Sequence, residues 1–572
     1  MSEQPRVLVK TVTFSDSTQL EFSPNEIVVF VGPNNAGKSA TLHELYHSLR
    51  NRNYPGTVLK SIQIERVGSE SDLKVWLDSN CHANNQNPSD IIYSRINGRS
   101  AYSQLRYFWE GHGEGLNEAV GMFCCHLSTE ARLQAANPAD NIPLTTSPKT
   151  HPIHFMQADD GIEQKISSFF LQAFGADLIV HRNAGNQVPL YCGEKPTLHQ
   201  GEDRVSVSYL HRLENLPTLH SQGDGMRSFV GVILHATIVD YSIVMIDEPE
   251  AFLHPPQARQ LGKLLARELP KDRQLFIATH STDFIQGVLD SESANVRIVR
   301  IQRNGELNLI NQLDAAAVRS LWQDPLLRYS NIFDGLFHQK VVLCEGDADC
   351  RFYSVVLDGQ LESSQSGPSA DVMFTHCGGK SRMPMVIRAL RELGVSVAVI
   401  VDFDILNDAH PLREISEALG VSWGDISTSW TRVYNAVSAK KPELTTEEVV
   451  RAIQGILAEI SETYFPRDAG RNIQAVLRRA SPWYMAKQVG STIIPSGDDT
   501  VAYLQVRDRL QTAGLFIVEI GEMERFVPSI GSHGPGWVND VLQHKADLAN
   551  DPDLRGAREF IAQVVKFDPA AQ

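Results

Sequence analysis

The stretch Gly32-Pro33-Asn34-Asn35-Ala36-Gly37-Lys38-Ser39 constrains this chain more than any other. It fits G-x-x-x-x-G-K-[ST] without departure. It follows a predicted buried strand, Glu26–Val31, and opens a helical pattern with apolar positions at Leu42, Leu45, Tyr46 and Leu49. Strand, Gly-rich loop and helix together give that motif its meaning. Gly32 and Gly37, with Asn34 and Asn35 between them, let backbone N–H groups curl around phosphates. The helix N-terminus adds a favourable dipole. Lys38 is expected at the β/γ-phosphates, and the Ser39 hydroxyl at Mg²⁺.

Further along, Ser242–Asp247 reads as an apolar strand ending in Asp247-Glu248. Asp247 is expected to hold Mg²⁺, directly or through water, and Glu248 to polarise the attacking water. The strand Leu275–Thr279 then delivers His280-Ser281. Alone, His280 would read as a capping or core histidine. In order behind a P-loop and an Asp-Glu pair it reads as a γ-phosphate switch. Gly223-Asp224-Gly225 precedes a helix expected over Gly225–Tyr241, so N–H groups at Gly223 and Gly225 are candidate phosphate donors. Gln157 is a candidate metal-contacting glutamine, with a surface glutamine as the rival reading. Helix 225–241, strand 242–247, helix 256–268 and strand 274–279 alternate as a parallel α/β sheet requires.

A second constellation begins at Lys340. The strand Val341–Cys344 ends in Glu345-Gly-x-x-Asp349, and Val395–Val401 ends in Asp402-x-Asp404. Parallel strands that end in carboxylates place them at one sheet edge. Such acids repel unless cations bind, and hard oxygen ligands select Mg²⁺ or Mn²⁺. Gly378-Gly379-Lys380 lies between the two motifs, and Lys380 is a candidate phosphate or transition-state contact. The alternative is a set of acids that merely cap strands. Within a later helical stretch, Arg471, Arg478, Arg479 and Lys487 cluster near Trp483 and Tyr484. They would track phosphates and stack bases, or form a solvated face with an apolar anchor.

The remaining bulk properties set limits. A chain of 572 residues is too long for one core. The net charge of −16 counts against a protein that grips nucleic acid all over its surface. The longest apolar runs are strand-length, and the N-terminus lacks a signal pattern. The reading is a cytoplasmic protein with no membrane contact. The odd cysteine count argues against a disulfide framework. Cys124-Cys125-His126 reads as buried thiols rather than a zinc half-site.

The order of motifs over about residues 1–300 resembles the soluble ABC ATPases of the SMC and OLD type. Gly-Asp-Gly stands where those proteins carry their signature. The second constellation resembles the TOPRIM fold. An ABC-type ATPase followed directly by TOPRIM is the arrangement of the OLD (overcoming lysogenization defect) nucleases. The resemblance implies an α/β chain: an ABC-type P-loop ATPase domain, then a TOPRIM (Rossmann-like) domain with a helical insertion. It implies ATPase residues 1–310 with an inserted segment at about 50–160, a helical connector at 311–338, and a nuclease domain at 339–572 with an insertion at about 406–510. Glu345, Asp349, Asp402 and Asp404 would be the metal ligands. Glu522, with Glu524 second, would come from the acidic third motif Glu519–Glu524. ATP, Mg²⁺ or Mn²⁺, DNA and a homodimer or higher homo-oligomer through the ATPase heads are implied. So is a role in bacterial anti-phage defence, alone or beside a partner defence protein or retron ribonucleoprotein.

Overall fold

The computed structural model describes residues 4–84, 90–113, 115–291, 295–313, 331–363, 371–462, 464–545 and 547–568, with 316, 319, 322 and 323 between them. Two compact units divide at Gln323/Asp324. Much of the expected connector at 311–338 lies outside the described residues. Its end, Asn331–Phe337, forms 3₁₀ turns.

The first unit is built on a six-stranded sheet. Its order is Leu307–Leu313, Asn295–Asn304, Glu26–Val31, Gln274–Ala278, Ile243–Asp247 and Cys124–Leu127. All neighbours are parallel except the first pair. Glu26–Val31 and Gln274–Ala278 are buried at every position, which explains why both are apolar after their first residue: a parallel sheet is covered on both faces. Phe30 pairs with Ala278, and Ala278 with Asp247. The residues that follow these strands therefore emerge together at one edge.

The segment expected as an insertion at about 50–160 carries strands and helices of its own. Leu59–Val67 is a strand antiparallel to Arg6–Phe14, and with Gln19–Glu21 they make a separate three-stranded sheet. The reason is a buried carboxylate. Glu44, on the helix Lys38–Arg50, accepts from the N–H groups of Thr57, Val58 and Leu59 and fixes where the strand begins. The helix expected over Gly225–Tyr241 is α-helical over Asp224–Ile233 and closes in a π turn, Leu234–Ile238. Cys124 and Cys125 lie on a buried strand as free thiols. Burial pushes the Cys125 thiol up to about 12.

The second unit carries a four-stranded parallel sheet. Its order is Val372–His376, Lys340–Cys344, Ser396–Asp402 and Leu515–Val518. Between the last two strands in sequence stand six helices, from Ala409–Ala418 to Asp498–Thr512. The core on one face joins Phe352, Tyr353 and Val356 to Trp537, Val541 and Ile561.

Candidate active sites

At the edge of the first sheet, Gly32 turns with φ +140, and a Cβ there would meet the Ile301 carbonyl oxygen at 2.1 Å. Only glycine lets the loop pass so close to its neighbouring strand. Lys38 is buried and donates to the carbonyls of Gly32 and Pro33, each at 2.8 Å. Its ammonium thus ties the two carbonyls of the loop together. Burial lowers its pKa to about 8, against the pull of Glu248 and Asp247. Ser39 Oγ donates to Asp247 Oδ1 at 2.9 Å. The hydroxyl and carboxylate expected at one Mg²⁺ are thus already side by side. Burial also raises the Asp247 carboxyl, with the Ser39 bond opposing.

Glu248 sits at φ 47, a left-handed conformation that costs a non-glycine residue about 1 kcal/mol. Its N–H bonds to the Ala278 carbonyl at 2.8 Å, and its Oε1 lies 3.7 Å from His280 Nε2. Strain and pairing together bring the carboxylate and the histidine face to face. His280 is held below its ordinary pKa by burial and by Lys38.

Two residues that motif reading did not single out support this edge. Glu250 Oε1 accepts from the Thr279 hydroxyl at 2.7 Å and from the His280 N–H at 3.0 Å. Its burial drives the carboxyl pKa up. Its position two residues past Glu248 was the available signal. Arg132 is fully buried and donates to the Asp247 carbonyl and to Thr129 Oγ1. Nothing in its local sequence marks it.

Gly225 allows the helix Asp224–Ile233 to approach Phe252, whose carbonyl oxygen lies 2.6 Å from where a Cβ would stand. Gly223 caps that helix. Gly225 therefore borders the turn that follows Glu248. Gln157 lies on the helix Ile153–Ala158, buried rather than on the surface, and donates to Asn141 Oδ1 at 3.1 Å.

In the second unit the carboxylates do converge. Oxygens of Glu345, Asp402 and Asp404 lie within 4.8 Å of one another. Glu345 Oε1 accepts the Asp402 N–H at 2.9 Å, which ties the ends of two neighbouring strands together. Asp349 Oδ2 accepts the Gly346 N–H at 2.9 Å, and burial raises its pKa to about 6. Burial and the nearby Glu345 raise Asp402 strongly. Burial also pushes Asp404 upward, but Lys380 and Lys487 outweigh it and leave the group below its ordinary value. Glu522 is raised by burial and by Glu524. Glu522, Glu524 and His533 form a second group able to hold a metal.

Two ammonium groups stand among these acids. Lys380 Nζ lies 2.7 Å from Asp404 and 3.1 Å from Glu345. Lys487 Nζ lies 2.9 Å from Asp402, 3.6 Å from Asp404 and 4.0 Å from Glu522. Lys487 therefore belongs to the acidic cluster, not to the basic stretch where its sequence position put it. Glycine places it there. A Cβ at Gly521 would fall 2.2 Å from the Lys487 carbonyl oxygen, and one at Gly490 would fall 2.0 Å from that of Glu519. The helix Pro482–Val489 thus lies directly on the turn that carries Glu522.

The rest of that basic stretch divides. Trp483 is buried, stacked on Tyr434 and bonded to Ser438 Oγ, so it anchors its helix. Arg479 pairs with Glu443 at 2.5 Å. Arg471 pairs with its neighbour Asp468 on an open face. Three carboxylates with lysines at hand suit a hard divalent cation: all donors are oxygens, and the cluster already draws cations to itself.

Sheet order and edge chemistry define a P-loop ATPase unit followed by a TOPRIM-type α/β unit. Residues 169–285 match the family described as AAA domain, putative AbiEii toxin, Type IV TA system. Residues 336–404 match the overcoming lysogenization defect protein-like TOPRIM domain. The chain is 28% identical over 171 residues to an OLD nuclease of Thermus scotoductus, a match covering 28% of this chain and 31% of that protein. It is 29% identical over 97 residues to an uncharacterized protein, MJECL11, of Methanocaldococcus jannaschii, covering 16% and 84%. Among solved structures it is similar to the SMC head domain from Thermotoga maritima, at 12% identity and a TM-score of 0.28, over 55% of this chain and 100% of that one. It is also similar to an Smc head domain with an extended coiled coil, bound to a ScpA domain derived from Pyrococcus furiosus, at 10% identity and a TM-score of 0.30, over 56% and 99%. An AAA-type ATPase domain joined to an OLD-like TOPRIM domain fits an OLD-family ATPase–TOPRIM protein.

Proposed function

We propose that this protein is an ATP-gated, metal-dependent DNA endonuclease or nickase. The observation that carries the reading is the meeting of Glu345, Asp402 and Asp404 with Lys380 and Lys487 at one sheet edge. A bound Mg²⁺ or Mn²⁺ would supply an activated water and stabilise charge on the leaving oxygen. Glu345, Asp402 and Asp404 would hold it, with Asp349 and Glu522 completing the ligand set. Lys380 and Lys487 would neutralise the phosphate that enters.

In this reading residues 1–310 bind and hydrolyse ATP, 311–338 connect, and 339–572 cut, with the insertion at about 406–510. Asn34, Asn35, Gly37, Lys38 and Ser39 cradle the phosphates. Asp247 holds Mg²⁺, Glu248 orients water and His280 senses the γ-phosphate. Gly223 and Gly225 would face nucleotide held by a second copy, and Gln157 remains the candidate metal-contacting glutamine. Pairing of ATPase heads into a homodimer, a cytoplasmic location, and service in anti-phage defence beside a partner protein or retron rest on the family resemblance. No helix among the described residues is long and apolar enough to cross a membrane.

The test is incubation of the purified chain with supercoiled plasmid and Mg²⁺ or Mn²⁺, with and without ATP, beside an Asp402→Ala/Asp404→Ala control. Nicking or linearisation lost in the control supports the reading. Plasmid left intact under every condition leaves two readings: an effector that awaits a partner, or the alternative, an ATP-dependent scaffold or sensor or an SMC-like DNA repair ATPase without autonomous cleavage.

A further inference from the structure

The helical insertion presents an open face that neither active site uses. The helices Thr446–Ala458 and Arg467–Arg479 lie next to one another in sequence, and the first buries none of its residues. Between them Tyr464 is 86% exposed and Phe465 58% exposed. On the second helix Arg467, Arg471 and Arg478 are spaced by four and seven residues, so they share one face. All three are exposed. Arg467 and Arg478 have no ion-pair partner among the described residues, and the exposed Arg471–Asp468 pair is weak.

Charge identifies the occupant. From Tyr464 to Lys487 the cations are Arg467, Arg471, Arg478, Arg479 and Lys487, and the lone acid is Asp468. This stands within a chain of net charge −16. The helix that follows in sequence carries Lys487, which stands on Asp402 in the acidic cluster. An extended polyanion that reaches the cluster would meet these arginines on the way. The exposed aromatics narrow the choice further: a Tyr or Phe side chain stacks on unpaired bases and gains little from a closed duplex.

We propose that Tyr464, Phe465 and the Arg467/Arg471/Arg478 face form a docking track for single-stranded nucleic acid that leads to the Asp402 cluster. The proposal rests on the nuclease reading and specifies its substrate as single-stranded or locally unwound. The aromatics stack bases, and the arginines follow the backbone toward Lys487.

The experiment is fluorescence anisotropy of a labelled 20-nucleotide oligothymidylate, and of a blunt duplex of equal length, with the full chain in EDTA so that no cleavage intervenes. Tyr464→Ala/Phe465→Ala is expected to weaken single-strand binding about tenfold or more, and to leave the duplex within about twofold. Arg467→Ala/Arg471→Ala/Arg478→Ala is expected to lower the slope of log affinity against log salt by about 2. Circular dichroism melts, together with ATP hydrolysis, check that both variants are folded. Single-strand binding unchanged in both variants overturns the proposal. So does equal loss for strand and duplex, or a lower sedimentation coefficient of the variants with oligonucleotide binding retained. The plasmid assay decides the nuclease reading separately, because binding here is measured without cleavage.

Discussion

Lys487 Nζ lies 2.9 Å from Asp402 Oδ2, although a six-helix insertion begins directly after the strand that carries Asp402. The insertion is therefore part of the acidic edge, since its fifth helix returns a cation to the acids.

Lys487→Met should separate charge neutralisation from metal holding. It removes a cation that competes for the same oxygens, so Mn²⁺ should bind as tightly as before or more tightly, measured by isothermal titration calorimetry. Plasmid cleavage should fall by about 10² or more, the scale of a lost electrostatic stabiliser. Loss of Mn²⁺ binding instead would show that Lys487 only holds the acids in place.

Gly521→Ala should cripple the nuclease from a position that touches no substrate. Its φ of +116 and the Lys487 carbonyl 2.2 Å from the added Cβ force the helix Pro482–Val489 outward. Cleavage should drop at least about tenfold, as expected for a displacement of about an ångström at a reacting site. ATP hydrolysis should stay within about twofold. Full cleavage by a folded Gly521→Ala protein would show that this close approach does not position Lys487.

Glu248→Gln should bind ATP and hydrolyse it about 10²-fold or more slowly, the usual scale for a lost general base. Running the plasmid assay on this variant then tells how the two units communicate. Cleavage retained with ATP bound means that ATP gates the nuclease, whereas cleavage lost means that turnover drives it.

Glu250→Ala should leave the KM for ATP within about twofold and lower kcat about tenfold, the signature of an interaction that matters in the transition state. Glu250 receives the Thr279 hydroxyl and the His280 N–H, so it acts by aiming His280. Glu250→Gln keeps an acceptor oxygen and should recover part of the rate. A rise in KM with kcat unchanged would contradict this role.

The first unit should lose stability in acid. His235 is buried beside Cys125, and burial lowers its pKa to about 3. His151 is lowered to about 4, again by burial. For a histidine whose folded pKa lies below the unfolded one, the unfolded chain binds the extra proton, so stability falls as pH drops through 6.5. His235 alone should contribute a loss of about 2 kcal/mol between about pH 6.5 and 4.5. Thermal melts of the wild type and His235→Gln at both pH values test it. Parallel acid sensitivity in the two proteins would remove His235 as a cause.

Much of this protein is written locally. The P-loop, the Asp247-Glu248 strand end, His280, Glu345 and the Asp402-x-Asp404 strand end each combine a buried strand with the residue just beyond it. Burial on both faces forces an unbroken apolar run, and the polar text resumes where the sheet stops. Sheet edges and their acids are therefore legible without coordinates. Three-dimensional packing decided the rest. Glu44 fixes a strand at Leu59–Val67 by accepting three N–H groups, Glu250 aims His280, and Arg132 braces the Asp247 carbonyl. Lys487, read in the sequence with the phosphate-tracking cations, is a neighbour of Asp402, and of the two readings left open for Trp483 the structure shows the buried anchor. These contacts join residues far apart in the chain. Spacing along the sequence carries no distance across such gaps; for Lys487 it is the close approach of backbone at Gly490 and Gly521 that sets the helix against the turn of Glu522.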